Sequence, residues 1–403
     1  MDFFIGAFYH AKNGGLVYPH TYFLYKNKCA GILTRVMERI IFVSIFALII
    51  IFVSLFSAHV FSSGLNLSAV AKRNTTLPAL FVPLLYILSL IAIRSTTSAL
   101  GAITYYFMNV IAGIFFYIFI GALFLGFAIM FGMIFKYNVS SSFAAVVFAV
   151  SILLALAGLI QARFMKVSEY TVALEDIPES WNGRRGLLVA DTHFGIINKG
   201  KFSDKVVNKI ISLKPDFVLH AGDFYDGPEI NTEPSTESWK KLTAVVPVFY
   251  APGNHEAYGN YTDFIASIRK ANVTVLEDSY TIYGGVQIAG LNYRDRGKIE
   301  ETRQALQKMN LKNNVPTILI THPPTFHNEA ALAGTDLMVS GHTHRGQFWP
   351  MNFFVRLIYG KYTYGKSSYG NLQTLTTSGV GTFGPPYRLF NTPELVIINF
   401  IKK

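Results

Sequence analysis

Two textures of hydrophobic patterning divide the chain. Before residue 167 the apolar positions come in long runs with almost no polar interruption: Ile40 to Phe61, Leu77 to Ile93, Ile103 to Phe135 and Phe143 to Ile160. A helix crosses a bilayer with roughly 17–25 such residues. The third run, 33 residues without a charge, exceeds one simple span and is barely enough for two. Gly113 and Gly121 offer a bend or a tight turn, but we read this run as one long or tilted helix, for a total of four spans. Residues 1–166 are thus expected to form a transmembrane anchor and residues 167–403 a separate domain.

From Met165 onward the apolar runs shorten to four to six residues, end in Gly or Asp, and alternate with helical periodicity, the pattern of an α/β domain. Gly186 to Ala190 reads as a buried strand. Phe202, Val206, Val207, Ile210 and Leu213 read as the apolar face of a helix that Pro215 stops. Further strands are expected at Phe217 to Ala221, Pro247 to Ala251, Pro316 to Thr321 and Asp336 to Ser340, with a hairpin turning at Gly284-Gly285. Phe348 to Tyr369 shows no clear period and is expected to be a long aromatic excursion lying against lipid headgroups.

The net charge of +11 suggests nucleic acid until it is divided by region. Residues 1–166 hold 11 Lys/Arg against Asp2 and Glu38, whereas residues 167–403 hold 24 against 22 acids. The basic excess flanks the apolar runs, so it signals topology and leaves no call on nucleic acid. With four spans, Lys12, Lys26, Lys28, Arg35, Arg39, Arg94, Arg163 and Lys166 fall on one side and Lys72, Arg73 and Lys136 on the other. That bias places the C-terminal domain in the cytoplasm; five spans would reverse it. The mixed polar character of the first 30 residues argues against a cleaved signal peptide. The spans carry almost no ionisable residue, with His59 near the end of the first, which disfavours a transporter. Cys29 is the single cysteine, excluding an intrachain disulfide and a thiolate metal site.

The chemistry lies at the strand ends. In order they carry Asp191-Thr192-His193, Gly222-Asp223-Phe224-Tyr225-Asp226, Gly253-Asn254-His255-Glu256, Thr321-His322 and Gly341-His342-Thr343-His344. Each alone has a plain explanation, such as a helix cap or a turn. Five in succession at strand ends, where open α/β sheets place their sites, point to a shared centre. On extended backbone His342 and His344 would face one spot. Carboxylate, imidazole and amide donors without sulfur suit Mn, Fe, Zn or Co.

This order of motifs resembles the calcineurin-like metallophosphoesterase superfamily. The tail Gly379-Val380-Gly381-Thr382-Phe383-Gly384-Pro385-Pro386-Tyr387-Arg388-Leu389, with Pro393-Glu394 and His344-Arg345-Gly346-Gln347, is similar to its membrane-attached bacterial branch. The resemblance implies a four-layer α/β/β/α sandwich with two mixed sheets and two divalent metals, manganese favoured. Asp191, His193, Asp223 and His344 would bind one, and Asp223, Asn254, His322 and His342 the other, with Asp223 bridging. His255 would be the catalytic group, and Asp226 and Glu256 would orient ligand histidines. Arg345 stands where many relatives have glycine, and Arg294 and Arg296 where they often have acids; these three are candidate phosphate contacts. His220 and His327 match no ligand position and are read as structural.

The expected activity is hydrolysis of a phosphodiester or pyrophosphate, on a lipid-linked or small phosphoester substrate. A nucleotide-diacylsugar pyrophosphate is one specific candidate. A non-catalytic sensor built on a degenerate domain would lack ligands, and none is missing here. The sequence does not define an oligomeric state.

Overall fold

The computed structural model describes residues 19–92, 98–227, 230–312 and 314–403. Of the basic residues in the topology count, Lys12 and Arg94 lie outside these, as do the side chains of Lys26, Lys28, Arg35 and Arg39.

Four helices come first: α1 (Pro19–Gly64), α2 (Ala69–Ala92), α3 (Ala99–Phe135) and α4 (Ser141–Gln161). Among the described residues three helices are long and apolar enough to cross a membrane, namely Val43–Gly64 of α1, then α3 and α4. The run at 77–93 lies in α2, which has Lys72 and Arg73 near its start and Pro78 and Pro83 inside, and which does not meet that measure. α3 is unbroken over 37 residues, roughly 55 Å at 1.5 Å per residue. Its glycines are not bends but points of close approach. A Cβ at Gly121 would lie 2.0 Å from Ser151 Oγ, and one at Gly113 2.1 Å from the ring of Tyr387.

The chain divides into two compact units, Met1–Ile93 with Ile114–Leu153, and Arg94–Gly113 with Leu154–Lys403. The first is organised around Val60, Phe61, Ala122, Leu125, Ala144 and Val147. The second contains the whole α/β domain together with the start of α3 and the end of α4.

Two six-stranded sheets form that domain. One runs β1 (Lys166–Leu174), β14 (Glu394–Lys402), β2 (Arg185–Val189), β4 (Phe217–Ala221), β6 (Val248–Ala251), β7 (Thr274–Val275), parallel except between β14 and β2. The other runs β12 (Gly365–Tyr369), β13 (Leu372–Thr376), β11 (Leu337–Ser340), β10 (Thr317–Ile320), β9 (Val286–Gly290), β8 (Ser279–Tyr283), with antiparallel pairs at both edges. A short ribbon pairs β3 (Phe194–Gly195) with β5 (Tyr225–Asp226).

Strands buried on both faces explain the near-continuous apolar runs. Along β2, Leu188 enters the core between the sheets while Leu187 and Val189 enter the core beneath the outer helices. The outer face of the first sheet is covered by α5 (Gly200–Leu213), α6 (Glu233–Thr243) and α8 (Tyr261–Lys270), and that of the second by α9 (Ile299–Met309) and α10 (His327–Leu332). The result is the α/β/β/α sandwich with two mixed sheets. The hairpin β8–β9 turns at Gly284 and Gly285, both at positive φ, the backbone a two-residue turn requires.

The aromatic excursion departs from expectation. It contains an amphipathic helix, α11 (Met351–Tyr359), before entering β12. Its nine residues are too few, among aromatics on both sides, for a helical period to stand out.

Candidate metal centre

The predicted ligands follow the ends of five strands: Asp191 and His193 after β2, Asp223 after β4, Asn254 at the start of α7 (Asn254–Tyr258) after β6, His322 after β10, and His342 and His344 after β11. Five of these seven, Asp191, His193, Asp223, His342 and His344, have positive φ between 46° and 68°. Non-glycine residues rarely adopt that backbone, and it persists where surrounding structure enforces it. This corrects the extended reading of the His342-x-His344 pair. β11 ends at Ser340 and the chain then coils through a left-handed turn, so the two imidazoles diverge.

They diverge into two donor sets. In one, His193 Nε2 lies 3.0 Å from His344 Nε2, and His344 Nε2 lies 3.4 Å from Asp191 Oδ1. In the other, Asn254 Oδ1 lies 2.9 Å from both His322 Nε2 and His342 Nδ1, which are 3.1 Å from each other. Asp223 Oδ2 stands between them, 3.0 Å from His322 Nε2 and 3.8 Å from His193 Nε2. Neighbouring ligands about 2.1 Å from one ion lie about 3.0 Å apart in octahedral and about 3.4 Å in tetrahedral geometry, so these separations fit a cation in each set. A third grouping, His193, Asp226 and His255, also brings its donor atoms within 4.8 Å of one another. There, however, the 2.9 Å contact of His255 Nδ1 with Asp226 Oδ1 is a hydrogen bond, so we read it as a catalytic pair.

The surrounding hydrogen bonds hold the ligands. His322 Nδ1 donates to Ala221 O at 2.8 Å, which fixes the tautomer and leaves Nε2 free for a metal. The Asp191 carboxylate accepts from the backbone N–H of His342 at 3.0 and 3.1 Å. Arg388 Nη2 lies 2.9 Å from His344 Nδ1 and braces the ring from behind, with Nε2 turned to the donor set.

Burial and mutual charge set the protonation. Burial pushes His193 and His342 down to about 3 and, with Arg388 next, holds His344 well below the imidazole range. These rings are neutral, as ligands must be. Burial also lowers His322, but the Asp223 charge outweighs it and raises the group to about 9. Asp223 is in turn held well below the carboxylate range, burial being overcome by His322 and His255. Asp191 is raised to about 7, chiefly by burial. His255 reaches about 10, because Asp223 and Asp226 outweigh the opposing effect of burial.

Residues 185–346, which hold all seven ligand candidates, match the calcineurin-like phosphoesterase family. The chain carries a calcineurin-like phosphoesterase domain. An uncharacterized metallophosphoesterase of Campylobacter jejuni is 30% identical over 243 residues, 58% of this chain and 64% of that protein. One from Aquifex aeolicus is 29% identical over 255 residues, 62% of this chain and 97% of its own length. A Danio rerio transmembrane protein with metallophosphoesterase domain is 26% identical over 283 residues, covering 64% and 63% of the two chains. The chain thus spans less than two thirds of the Campylobacter and Danio relatives that it matches.

Other candidates in the phosphoesterase domain are engaged with neighbouring side chains or backbone. Arg294 forks onto Asp278, with Nη1 at 2.8 Å from Oδ1, so its donors are already committed. The Arg345 guanidinium lies 4.4 Å from the Tyr364 ring centre, and that of Arg296 5.1 Å from the ring centre of Tyr359. Asp226 orients His255 rather than a ligand histidine. Glu256 orients backbone: its carboxylate accepts from the N–H groups of Asp223, Tyr225 and Gly253 at 2.9–3.1 Å, tying two ligand loops together. His220 is a neutral core aromatic among Phe224, Trp239 and Tyr250, and His327 stacks on Tyr362.

Arg388 and Glu394 hold the site together in ways that no ligand motif marks. Arg388 is fully buried and donates to the carbonyls of His344 and Ser378 as well as to the His344 ring. Glu394 is equally buried and accepts from Ser168, Tyr364, Thr377 and Ser378 N–H while pairing with Lys166 at 3.1 Å. Their signal was the tail motif, a charged pair in an otherwise apolar and glycine-rich segment.

Proposed function

We propose that the chain is a membrane-anchored hydrolase that cleaves a phosphodiester or pyrophosphate bond in a lipid-linked substrate at a two-cation centre, with manganese the favoured ion. The observation that carries this is Asp223 standing between two complete donor sets with the His255–Asp226 pair alongside. Bound there, paired dications supply hydroxide near neutral pH and charge to hold phosphoryl oxygens. Asp223 provides the negative charge between the two positions. His255 keeps its proton beside the centre and delivers it to the leaving oxygen, while Asp226 fixes the ring through Nδ1. Apolar helices tether this chemistry near lipid substrates, and a nucleotide-diacylsugar pyrophosphate is one member of the substrate class.

The full chain in detergent, stripped with chelator, is expected to lose hydrolysis of bis(p-nitrophenyl) phosphate and to regain it with added manganese. Activity that survives metal removal overturns the reading. The lipid arm is checked by comparing cells that carry the active chain with cells that carry Asp223→Ala. A phosphate-bearing lipid should accumulate in the latter; accumulation of a water-soluble phosphoester alone would move the substrate off the membrane.

We place the phosphoesterase domain in the cytoplasm on the reading in which α2 is a fourth span, which gives the eight-to-three bias of flanking Lys and Arg. A phosphatase reporter fused after Lys403, active only outside the cytoplasm, should be silent. A bright reporter would reverse the orientation.

A further inference from the structure

α11 leaves the domain immediately after the left-handed turn that carries His344 and Arg345. Its Phe353, Phe354, Leu357 and Ile358 are 61%, 52%, 70% and 52% exposed. Spacing of i, i+1, i+4 and i+5 puts all four on one face of the helix. The opposite face holds Asn352 and Tyr359. A Cβ at Gly346 would meet the Asn352 backbone at 2.3 Å, and the Tyr359 ring lies 6.0 Å from that of His342. One side of this helix is therefore the wall of the metal centre, and the other is a large apolar surface directed away from it.

The same unit of the structure indicates what covers that surface. Trp349, just before α11, donates its backbone N–H to Leu389 O at 3.2 Å. Residues 387–390 are hydrogen-bonded to both apolar helices. Tyr387 OH donates to Val110 O of α3 at 2.8 Å, Arg388 N to Gly158 O of α4 at 2.9 Å, and Phe390 N to Gln161 Oε1 at 3.1 Å. The Tyr387 ring fills the notch at Gly113 and Gly158. α11 is thus linked through one short segment to the ends of α3 and α4, two of the helices apolar enough to span a bilayer. Phe390 and Trp349 extend its apolar surface, at 65% and 40% exposed. Arg356, exposed on the flank of α11, and Lys361 just beyond it supply cations at headgroup level.

We propose that α11 is an interfacial helix. Its Phe353–Phe354–Leu357–Ile358 face inserts about 5–10 Å into the boundary between headgroups and acyl chains. Its Asn352–Tyr359 side thereby holds the metal centre at the level where lipid phosphates sit. The occupant is the bilayer that α3 and α4 cross, and the proposal rests on that reading of the two helices.

The test uses the full chain in phosphatidylethanolamine/phosphatidylglycerol nanodiscs, with Cys29→Ser as background and single nitroxides at Leu357→Cys, Phe354→Cys, Phe127→Cys in α3 and Leu332→Cys in α10. All four positions are exposed, so labelling leaves the packing intact, and retained metal content verifies this. Oxygen should broaden the signals at 354, 357 and 127, a water-soluble nickel chelate should not, and position 332 should behave in the opposite way. Nickel access at 354 and 357 with none at 127 overturns the interfacial helix while leaving the membrane anchor in place. Nickel access at 127 as well overturns the anchor. Dipolar broadening between labels at 357 would assign the face to a second copy of the chain and likewise overturn the proposal.

Discussion

Asp223→Ala is expected to remove phosphodiester hydrolysis to background and to empty both cation positions, where loss of a ligand from one set would empty one. Asp223 Oδ2 faces His322 Nε2 at 3.0 Å, His193 Nε2 at 3.8 Å and His255 Nε2 at 3.9 Å, while Oδ1 accepts the backbone N–H of His255 at 2.9 Å. One carboxylate therefore faces both donor sets, the His255 ring and one loop. Two dications held about 3.5–4 Å apart need negative charge between them, and no other carboxylate occupies that position among the described residues. Without metal the substitution also leaves the buried His322 and the partly buried His255 beside a missing counter-charge. Breaking a buried pair in this way costs about 3–5 kcal/mol. Asp223→Asn keeps the shape and separates the two effects. Metal content by mass spectrometry and turnover are the measurements, and a variant that retains two ions and turnover would sink the bridging role.

The same electrostatics set how stability of the metal-free domain depends on pH. His322 is raised to about 9 by Asp223 against the pull of burial, so its contribution is full below the unfolded imidazole value, about 6.5, and is lost as pH rises through about 9. Asp223 is depressed, so its contribution is present above the ordinary carboxylate range and is lost only in strong acid.

The parts that could be read from the sequence are those where side-chain chemistry and strand ends coincide. An apolar run that stops at Asp, Asn or His must bury that polar group or use it, and Asp191, Asp223, Asn254 and His322 do both. Backbone conformation was not legible in the same way. His342 and His344 look like an extended pair, yet their positive φ sends one ring to each donor set. The run holding Gly113 and Gly121 was legible as one long helix, but not the reason for its glycines: a tyrosine ring and a serine hydroxyl occupy the space that side chains there would fill. Arg388 was recognisable as part of a motif, while its work depends on which carbonyls the fold brings to it from residues 344 and 378. Glu256 sits beside a ligand in sequence but acts on three backbone N–H groups from two loops, a role only the closed structure defines.

His255→Gln should separate proton delivery from metal binding. The ring is held by Asp226 at 2.9 Å through Nδ1, its Nε2 lies 3.9 Å from Asp223 Oδ2, and it packs edge-on against His193 with ring centres 4.5 Å apart. It borders the centre without belonging to either donor set, so the variant keeps its metal. Turnover should fall about 100-fold or more, the usual contribution of a positioned acid. The pH profile supplies the readout that a structural role would not move. His255 is raised to about 10 by Asp223 and Asp226 against burial, so it holds its proton at neutral pH and activity falls as pH rises through its pKa. Bound cations draw off part of the Asp223 charge, so that alkaline limb should lie below about 10 in the loaded protein. Asp226→Asn should move it lower still, because it removes the partner that remains. In His255→Gln the alkaline limb should vanish and kcat, rather than KM, should carry the loss; depletion of metal in that variant would make His255 a ligand instead of an acid.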